Sequence, residues 1–125
     1  MCNINRYDKG DEPELIRLLK ADGDWDSFTC AGSLDSFKNA LVNSETLVCK
    51  TRNKVCGYLR AIVDGFGVYI SELYVAPRYR GRGYARGMLH QIKSAHPDED
   101  VYVLSDEDRY YEKLGYKRVG SVFRL

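Results

Sequence analysis

Residues 68–93, VYISELYVAPRYRGRGYARGMLHQIK, decide how this chain folds. The run opens with β-branched and aromatic side chains (Val68, Tyr69, Ile70, Tyr74, Val75) and is closed by Pro77, which has no N–H for a following ladder, so it reads as a strand. Farther on, Ala85, Met88, Leu89 and Ile92 follow the i, i+3, i+4, i+7 spacing that lays one apolar stripe along a helix. Between them lies Arg78-Tyr79-Arg80-Gly81-Arg82-Gly83. Two glycines let the backbone turn tightly and approach a ligand closely, and the start of a helix presents unpaired N–H groups at its positive dipole end. With three arginines around it, such a loop suits a phosphate.

The spacing excludes two familiar phosphate loops. A dinucleotide fingerprint would need glycine three residues after Gly83, where Arg86 stands, and a P-loop would need Gly-Lys-Ser or Gly-Lys-Thr, which occurs nowhere in the chain. What remains is Arg78-x-x-Gly81-x-Gly83 directly after a strand ending Glu72-Leu73-Tyr74-Val75-Ala76-Pro77. This combination resembles the acetyl-coenzyme A loop of the GNAT (Gcn5-related N-acetyltransferase) superfamily.

The whole-chain numbers fit such a protein without demanding it. At 125 residues the chain is expected to be one domain over 1–125, with enough length for a real core. Its 44% hydrophobic and 30% charged residues are ordinary for a soluble globular protein. A net charge of +1 predicts no bulk affinity for nucleic acid or for a membrane surface, and the basic residues concentrate in one loop whose aromatic neighbours, Tyr79 and Tyr84, make no extended stacking platform. No leader-like or membrane-spanning apolar run is visible, so cytoplasmic residence is expected. The cysteines Cys2, Cys30, Cys49 and Cys56 lack metal-binding spacing, so no metal is expected and reduced thiols are the plain reading. A two-residue turn at Arg52-Asn53 would set Cys49 and Cys56 opposite each other, within reach of a bridge under oxidation.

Taken in order, a weakly alternating first strand (2–7) leads to a helix with Pro13 in its first turn and Leu15, Ile16, Leu18 and Leu19 on it. Residues 22–32 are irregular, a loop or a loop with a turn of helix. Ser33 then suits the N-cap of a second helix carrying Leu34, Phe37 and Leu41. Three strand-like runs (46–51, 55–63, 68–75) with short turns between them predict an antiparallel meander. The central helix makes a crossover to a short strand at 101–104, expected to be parallel to the third meander strand. A last short helix stops at Gly115, and residues 116–125 read as a final strand. The order is β-α-α-β-β-β-α-β-α-β: an α/β (α+β) fold with a mixed, largely antiparallel sheet and helices on both faces. It is also the element order of the GNAT, acyl-CoA N-acyltransferase-like fold.

A second segment, Tyr110-Tyr111-Glu112-Lys113-Leu114-Gly115-Tyr116, resembles the family's carboxy-terminal signature, in which the second aromatic lies near the coenzyme thiol. The preceding Leu104-Ser105-Asp106-Glu107-Asp108-Arg109 departs from the Asn and Ala often found there. The resemblance implies acetyl-coenzyme A as cosubstrate, with its diphosphate on the N–H groups of Arg80, Gly81, Arg82, Gly83, Tyr84 and Ala85, and with Arg78, Arg80 and Arg82 adding charge. It implies that Leu73, Tyr74 and Val75 pair their backbone with the pantetheine arm, and that a bulge there frees the Val75 N–H for the thioester oxygen.

Two catalytic roles follow from the same resemblance. Tyr111 would protonate the departing thiolate; its rival reading is a core-covering tyrosine, one of ten in the chain. Glu72 would take the amine proton. It interrupts an apolar run, which is costly if buried without purpose, and its rival reading is a solvent-facing or salt-bridged glutamate. His90 and His96 pair with no cysteine and carry no nucleophilic chemistry. The irregular segment would line the acceptor side, where Trp25 and Asp26, with Asp22 and Asp24, could receive a cationic amine. The expected function is N-acetyl transfer to a primary amine of a small molecule or protein, by a monomer or homodimer. The alternative is a non-catalytic acyl-coenzyme A sensor or interaction module.

Overall fold

The computed structural model describes residues 2–125. Its centre is the meander β2 (Glu45–Thr51), β3 (Lys54–Val63) and β4 (Gly67–Val75), paired antiparallel throughout. Arg52 and Asn53 both adopt positive φ, 53° and 63°, the left-handed pair that a two-residue hairpin requires because its twist matches that of the flanking strands. A first strand, β1 (Asn3–Arg6), lies antiparallel outside β2, and β5 (Asp100–Val103) lies parallel to β4. The sheet order is therefore β1-β2-β3-β4-β5.

Alternation along the strands builds two cores. On one face Leu47, Leu59 and Ile70 meet Met88, Leu89 and Ile92 of the crossover helix α4 (Tyr84–Ala95). On the other, Val48, Tyr58 and Tyr74 meet Leu15 and Leu19 of α1 (Glu12–Lys20) and Phe37 and Leu41 of α3 (Leu34–Asn43). The irregular segment between α1 and α3 contains a 3₁₀ turn, Gly23–Trp25, and a one-turn helix, α2 (Asp26–Thr29). Ser33 stands at the N-cap of α3 but makes no side-chain cap bond. A last helix, α5 (Asp108–Lys113), ends at Gly115 with φ +88°, and the Tyr116 N–H closes the turn on the Tyr111 carbonyl at 3.1 Å.

The final strand expected over 116–125 does not form. These residues are exposed and pair with no strand; Phe123 is 83% and Val119 74% exposed. The reason lies in their spacing: Tyr116, Val119, Val122 and Phe123 recur at intervals of three and one, so no extended register turns them all to one face. The Cys49 and Cys56 thiols do lie together, with Sγ atoms 3.4 Å apart, and both are free and buried.

Two bulges shape the meander. The β2–β3 register slips at Cys56, and the β3–β4 register slips at Ser71, where Arg60 pairs with Glu72 but Ala61 pairs with Ile70. Beside the first bulge the sheet needs Gly57, because a Cβ there would stand 2.4 Å from the Tyr74 carbonyl oxygen. Gly57→Ala is expected to lower unfolding free energy by at least about 2 kcal/mol in denaturant titration, since the obstacle is backbone.

His96, just past α4, is held between Glu45 (2.8 Å) and Glu99 (3.2 Å), and the Glu45 bond foremost raises its pKa above the ordinary histidine value. A raised folded-state pKa contributes stability that is present below the unfolded value and lost as pH rises through the folded one. The difference in melting temperature between the natural protein and His96→Gln should therefore be larger at about pH 6 than at about pH 9.

Candidate active site

β4 and β5 stay paired only from Gly67↔Asp100 to Ile70↔Val103, after which the Leu104 N–H makes a last bond to the Ile70 carbonyl at 2.9 Å. The Ser71 bulge comes at the next residue of β4, kinks the strand and lets the two part. Along the rest of β4, the Ala76 N–H bonds the Cys56 carbonyl at 2.8 Å, while Val75 stands opposite Gly57. That makes Val75 a non-hydrogen-bonded partner of β3, so by strand alternation the N–H and C=O of Leu73 and Val75 point outward, into the gap. The Val75 N–H thus faces the gap through alternation. The expected bulge at 73–75 is absent; it sits upstream, at Ser71.

The gap is the wall of one groove of about 1120 Å³. At one end the groove reaches Gly81, Gly83 and the first turn of α4. Gly81 (φ +77°) and Gly83 (φ +82°) are both left-handed, and a Cβ on either would have no neighbour within 4 Å; the glycines are needed for conformation rather than for space. α4 begins with no side-chain cap, and its first backbone bond is Gly87 N–H to the Gly83 carbonyl, at 2.9 Å. The N–H groups of Gly83, Tyr84, Ala85 and Arg86 are therefore left for a ligand, whereas the Arg80 N–H expected among them is taken by the Pro77 carbonyl at 3.2 Å as the 3₁₀ turn before the loop closes.

The arginines divide. Arg86 and Arg80 line the groove, but Arg80 Nε donates to the Val75 carbonyl at 2.8 Å and so occupies one of its two lone pairs. Arg78 and Arg82 lie outside the groove wall, their guanidinium carbons 4.9 and 5.6 Å from the centre of the Tyr79 ring. Arg86 stands on the first turn of α4, and that position is the signal in the sequence that marks it.

Glu72 lines the groove midway and is only 6% exposed. Arg60 grips it twice, Nε to Oε1 at 2.7 Å and Nη2 to Oε2 at 2.6 Å, and the Tyr58 hydroxyl donates to Oε1 at 3.2 Å. The Glu72 bond foremost holds the Arg60 pKa above its ordinary value, and burial, with the Glu72 charge second, pushes the Tyr58 phenol up. Glu72 is therefore both buried and salt-bridged while still open to the groove. A carboxylate offers about four lone-pair sites, of which these bonds occupy three; one on Oε2 is left.

Tyr111, on α5, lines the opposite wall and packs against the α4-side core. Burial foremost, then Tyr110 and Asp106, push its pKa up to about 12. The phenol is therefore protonated throughout the physiological range.

At the far end of the groove stand Trp25, Phe28, Asp22 and Asp24. Trp25 packs edge-on against Tyr74 (5.2 Å) and Tyr58 (5.9 Å), and the Tyr74 hydroxyl donates to Asp22 Oδ2 at 3.0 Å. Asp26 does not line the groove: as the first residue of α2 it is exposed, whereas Asp22 and Asp24, expected beside it, do line the groove. The turn Gly23–Trp25 decides this, with the Asp24 N–H bonded to Asp22 Oδ1 at 3.1 Å. Among the described residues no cluster of three metal-ligating side chains occurs, and no helix is long and apolar enough to cross a membrane.

A mixed sheet with two parted parallel strands, an open strand edge between them and a bare helix start at one end is the architecture of an acyl-coenzyme A N-acyltransferase. Residues 42–118 match the family described as the Acetyltransferase (GNAT) domain, and the chain belongs to that family. Among solved structures it is similar to a GNAT-family acetyltransferase from Streptococcus pneumoniae, with TM-score 0.78 at 19% identity over 100% of this chain and 98% of that one. It is also similar to the PaiA N-acetyltransferase from Thermoplasma acidophilum in complex with coenzyme A, with TM-score 0.77 at 16% identity over 94% and 90%. A third is an aminoglycoside acetyltransferase from an uncultured soil metagenomic sample, with TM-score 0.74 at 20% identity over 100% and 97%. No curated protein matches the sequence.

Gly83→Val places a β-branched residue at positive φ in the bare helix start, a strained conformation. Calorimetric titration with coenzyme A is expected to show binding at least about tenfold weaker in this variant.

Proposed function

We propose that this protein is an N-acetyltransferase that moves an acetyl group from acetyl-coenzyme A directly to a primary amine. The observation that carries the reading is the convergence on one groove of the outward Leu73 and Val75 backbone, the free amides of α4 and the Tyr111 phenol. Acetyl-coenzyme A, as substrate, supplies the thioester and the thiolate leaving group.

The chain's own groups divide the rest of the work. The amides of Gly83, Tyr84, Ala85 and Arg86 take the diphosphate, with the Arg86 side chain beside them. Leu73 pairs with the pantetheine amides as a neighbouring strand would, and the Val75 N–H meets the thioester oxygen as negative charge gathers there. Arg80 already bonds the Val75 carbonyl, so the Val75 N–H is the group at that point of the edge with no protein partner among the described residues.

Proton traffic runs on opposite walls. The amine must be neutral to attack, and Glu72 Oε2, with one lone pair unused, accepts its proton directly or through a water. Tyr111 donates to sulfur as the carbon–sulfur bond breaks; a phenol with a pKa of about 12 keeps its proton until that moment. Trp25 with Asp22 and Asp24 supports a cationic acceptor arriving from the far end, the ring facing the ammonium stem and the carboxylates its charge.

Incubation of the protein with acetyl-coenzyme A and a panel of primary amines, with detection of released thiol, tests the proposal; absence of amine-dependent release across small amines and peptide amines would overturn it. Tyr111→Phe and Glu72→Gln are each expected to lower single-turnover acetylation by roughly 10²-fold or more while leaving coenzyme A affinity within a few fold. Unchanged turnover in both would remove these residues from the chemistry.

A further inference from the structure

Arg60 makes more bonds than a simple counter-ion would need. Besides its two bonds to Glu72, its Nη1 donates to Ser44 Oγ at 3.0 Å and its Nη2 donates to Ser71 Oγ at 3.1 Å. Ser44 closes the C-terminus of α3, and Ser71 is the extra residue of the bulge that turns β4 away from β5. One planar guanidinium thus joins β3, the end of α3, the bulge and the carboxylate, with most of its five donors in use.

We infer that Arg60 is a positioning residue for acetyl transfer: it fixes the Glu72 side chain so that the remaining Oε2 acceptor is the one offered to the groove, and it pins the bulge that sets where the groove opens. The inference rests on Glu72 receiving the amine proton, as proposed above. The physical case is one of geometry. Without the fork, the Glu72 carboxylate would retain only the Tyr58 hydroxyl and would be free to change rotamer inside a narrow, mostly apolar strand face. Lysine carries the same charge, but its ammonium is a point donor that cannot span both carboxylate oxygens and two hydroxyls at fixed angles. Arg60 reaches no coenzyme contact itself; it is absent from the groove lining.

The test compares the natural protein with Arg60→Met and Arg60→Lys in three measurements: coenzyme A affinity by calorimetry, steady-state acetylation of the best amine, and the crystal structure of each variant, read for the position of the Glu72 carboxylate and the Ser71 bulge. In Arg60→Met, kcat should fall about tenfold or more while the Kd for coenzyme A stays within about threefold. In Arg60→Lys the fall should be smaller but still several-fold, and this variant carries the comparison if the methionine protein does not fold. Glu72 is touched by Tyr58 and Arg60 of β3, while Ser44 and Ser71 hold Arg60 in turn. Removal of Arg60 should therefore let the Glu72 carboxylate leave its place beside the Tyr58 hydroxyl, a displacement that the variant crystal structure reads directly.

Kinetics within about twofold of the natural protein in both variants, whatever their melting temperatures, would overturn the positioning role. If the natural protein acetylates no amine, the proposed function fails instead. The variant structures then decide the inference by themselves: a Glu72 carboxylate and a Ser71 bulge that stay in place in Arg60→Met overturn it, and displacement of either keeps Arg60 as the residue that positions Glu72 in the groove.

Discussion

The structure depends on an interruption of backbone hydrogen bonding. A parallel strand pair normally satisfies each inward N–H and C=O, yet β4 and β5 do so only as far as Ile70 and Val103. Beyond that point the outer edge of β4 is unmatched by any strand. An unpaired edge is a binding surface for any extended chain carrying amides, and the pantetheine arm of coenzyme A is such a chain. The groove exists because the sheet is left incomplete there.

Keeping the sheet open requires support on both sides. On the acceptor side, the bulge at Ser71 is fastened through Arg60 to Glu72 and to Ser44. Removing one partner of a buried ion pair typically costs about 3–5 kcal/mol, so this cluster is a firm anchor for the kink. On the coenzyme side, Arg80 bonds the Val75 carbonyl and spans the end of β4, while Tyr84 buries its ring beneath the helix start and accepts a bond from the Thr51 hydroxyl at 3.3 Å. Conformational choices that look wasteful locally, such as two left-handed glycines and an uncapped helix, occur where a ligand can supply the missing partners.

Charge of both signs lines the groove: Arg80, Arg86 and a helix N-terminus on one hand, and Asp22, Asp24, Glu72, Asp106 and Glu107 on the other. Glu72 is paired with Arg60, so its charge is largely balanced where it meets the groove.

Much of this was legible in the amino-acid order. The period-two runs of the meander, the turn at Arg52-Asn53, the stripe Met88-Leu89-Ile92 and the glycines at 81 and 83 are local signals, and local signals obey propensity and periodicity. Other features depended on distant partners. The bulge at Ser71 is a mismatch between two strands and cannot be read from either one alone. Arg60 is an unremarked basic residue in a strand until Glu72, Ser71 and Ser44 surround it. Of the three acids expected together, Asp22 and Asp24 line the groove and Asp26 does not, a division set by the 3₁₀ turn between them, and residues 116–125 leave the sheet because their apolar spacing finds no face to bury. Sequence by itself determined the meander strands, the main helices and the glycine loop, since these follow from contacts within a few residues. Tertiary structure alone decided which backbone groups stay unpaired and which carboxylates face the groove, since both are set by contacts between residues far apart in the chain.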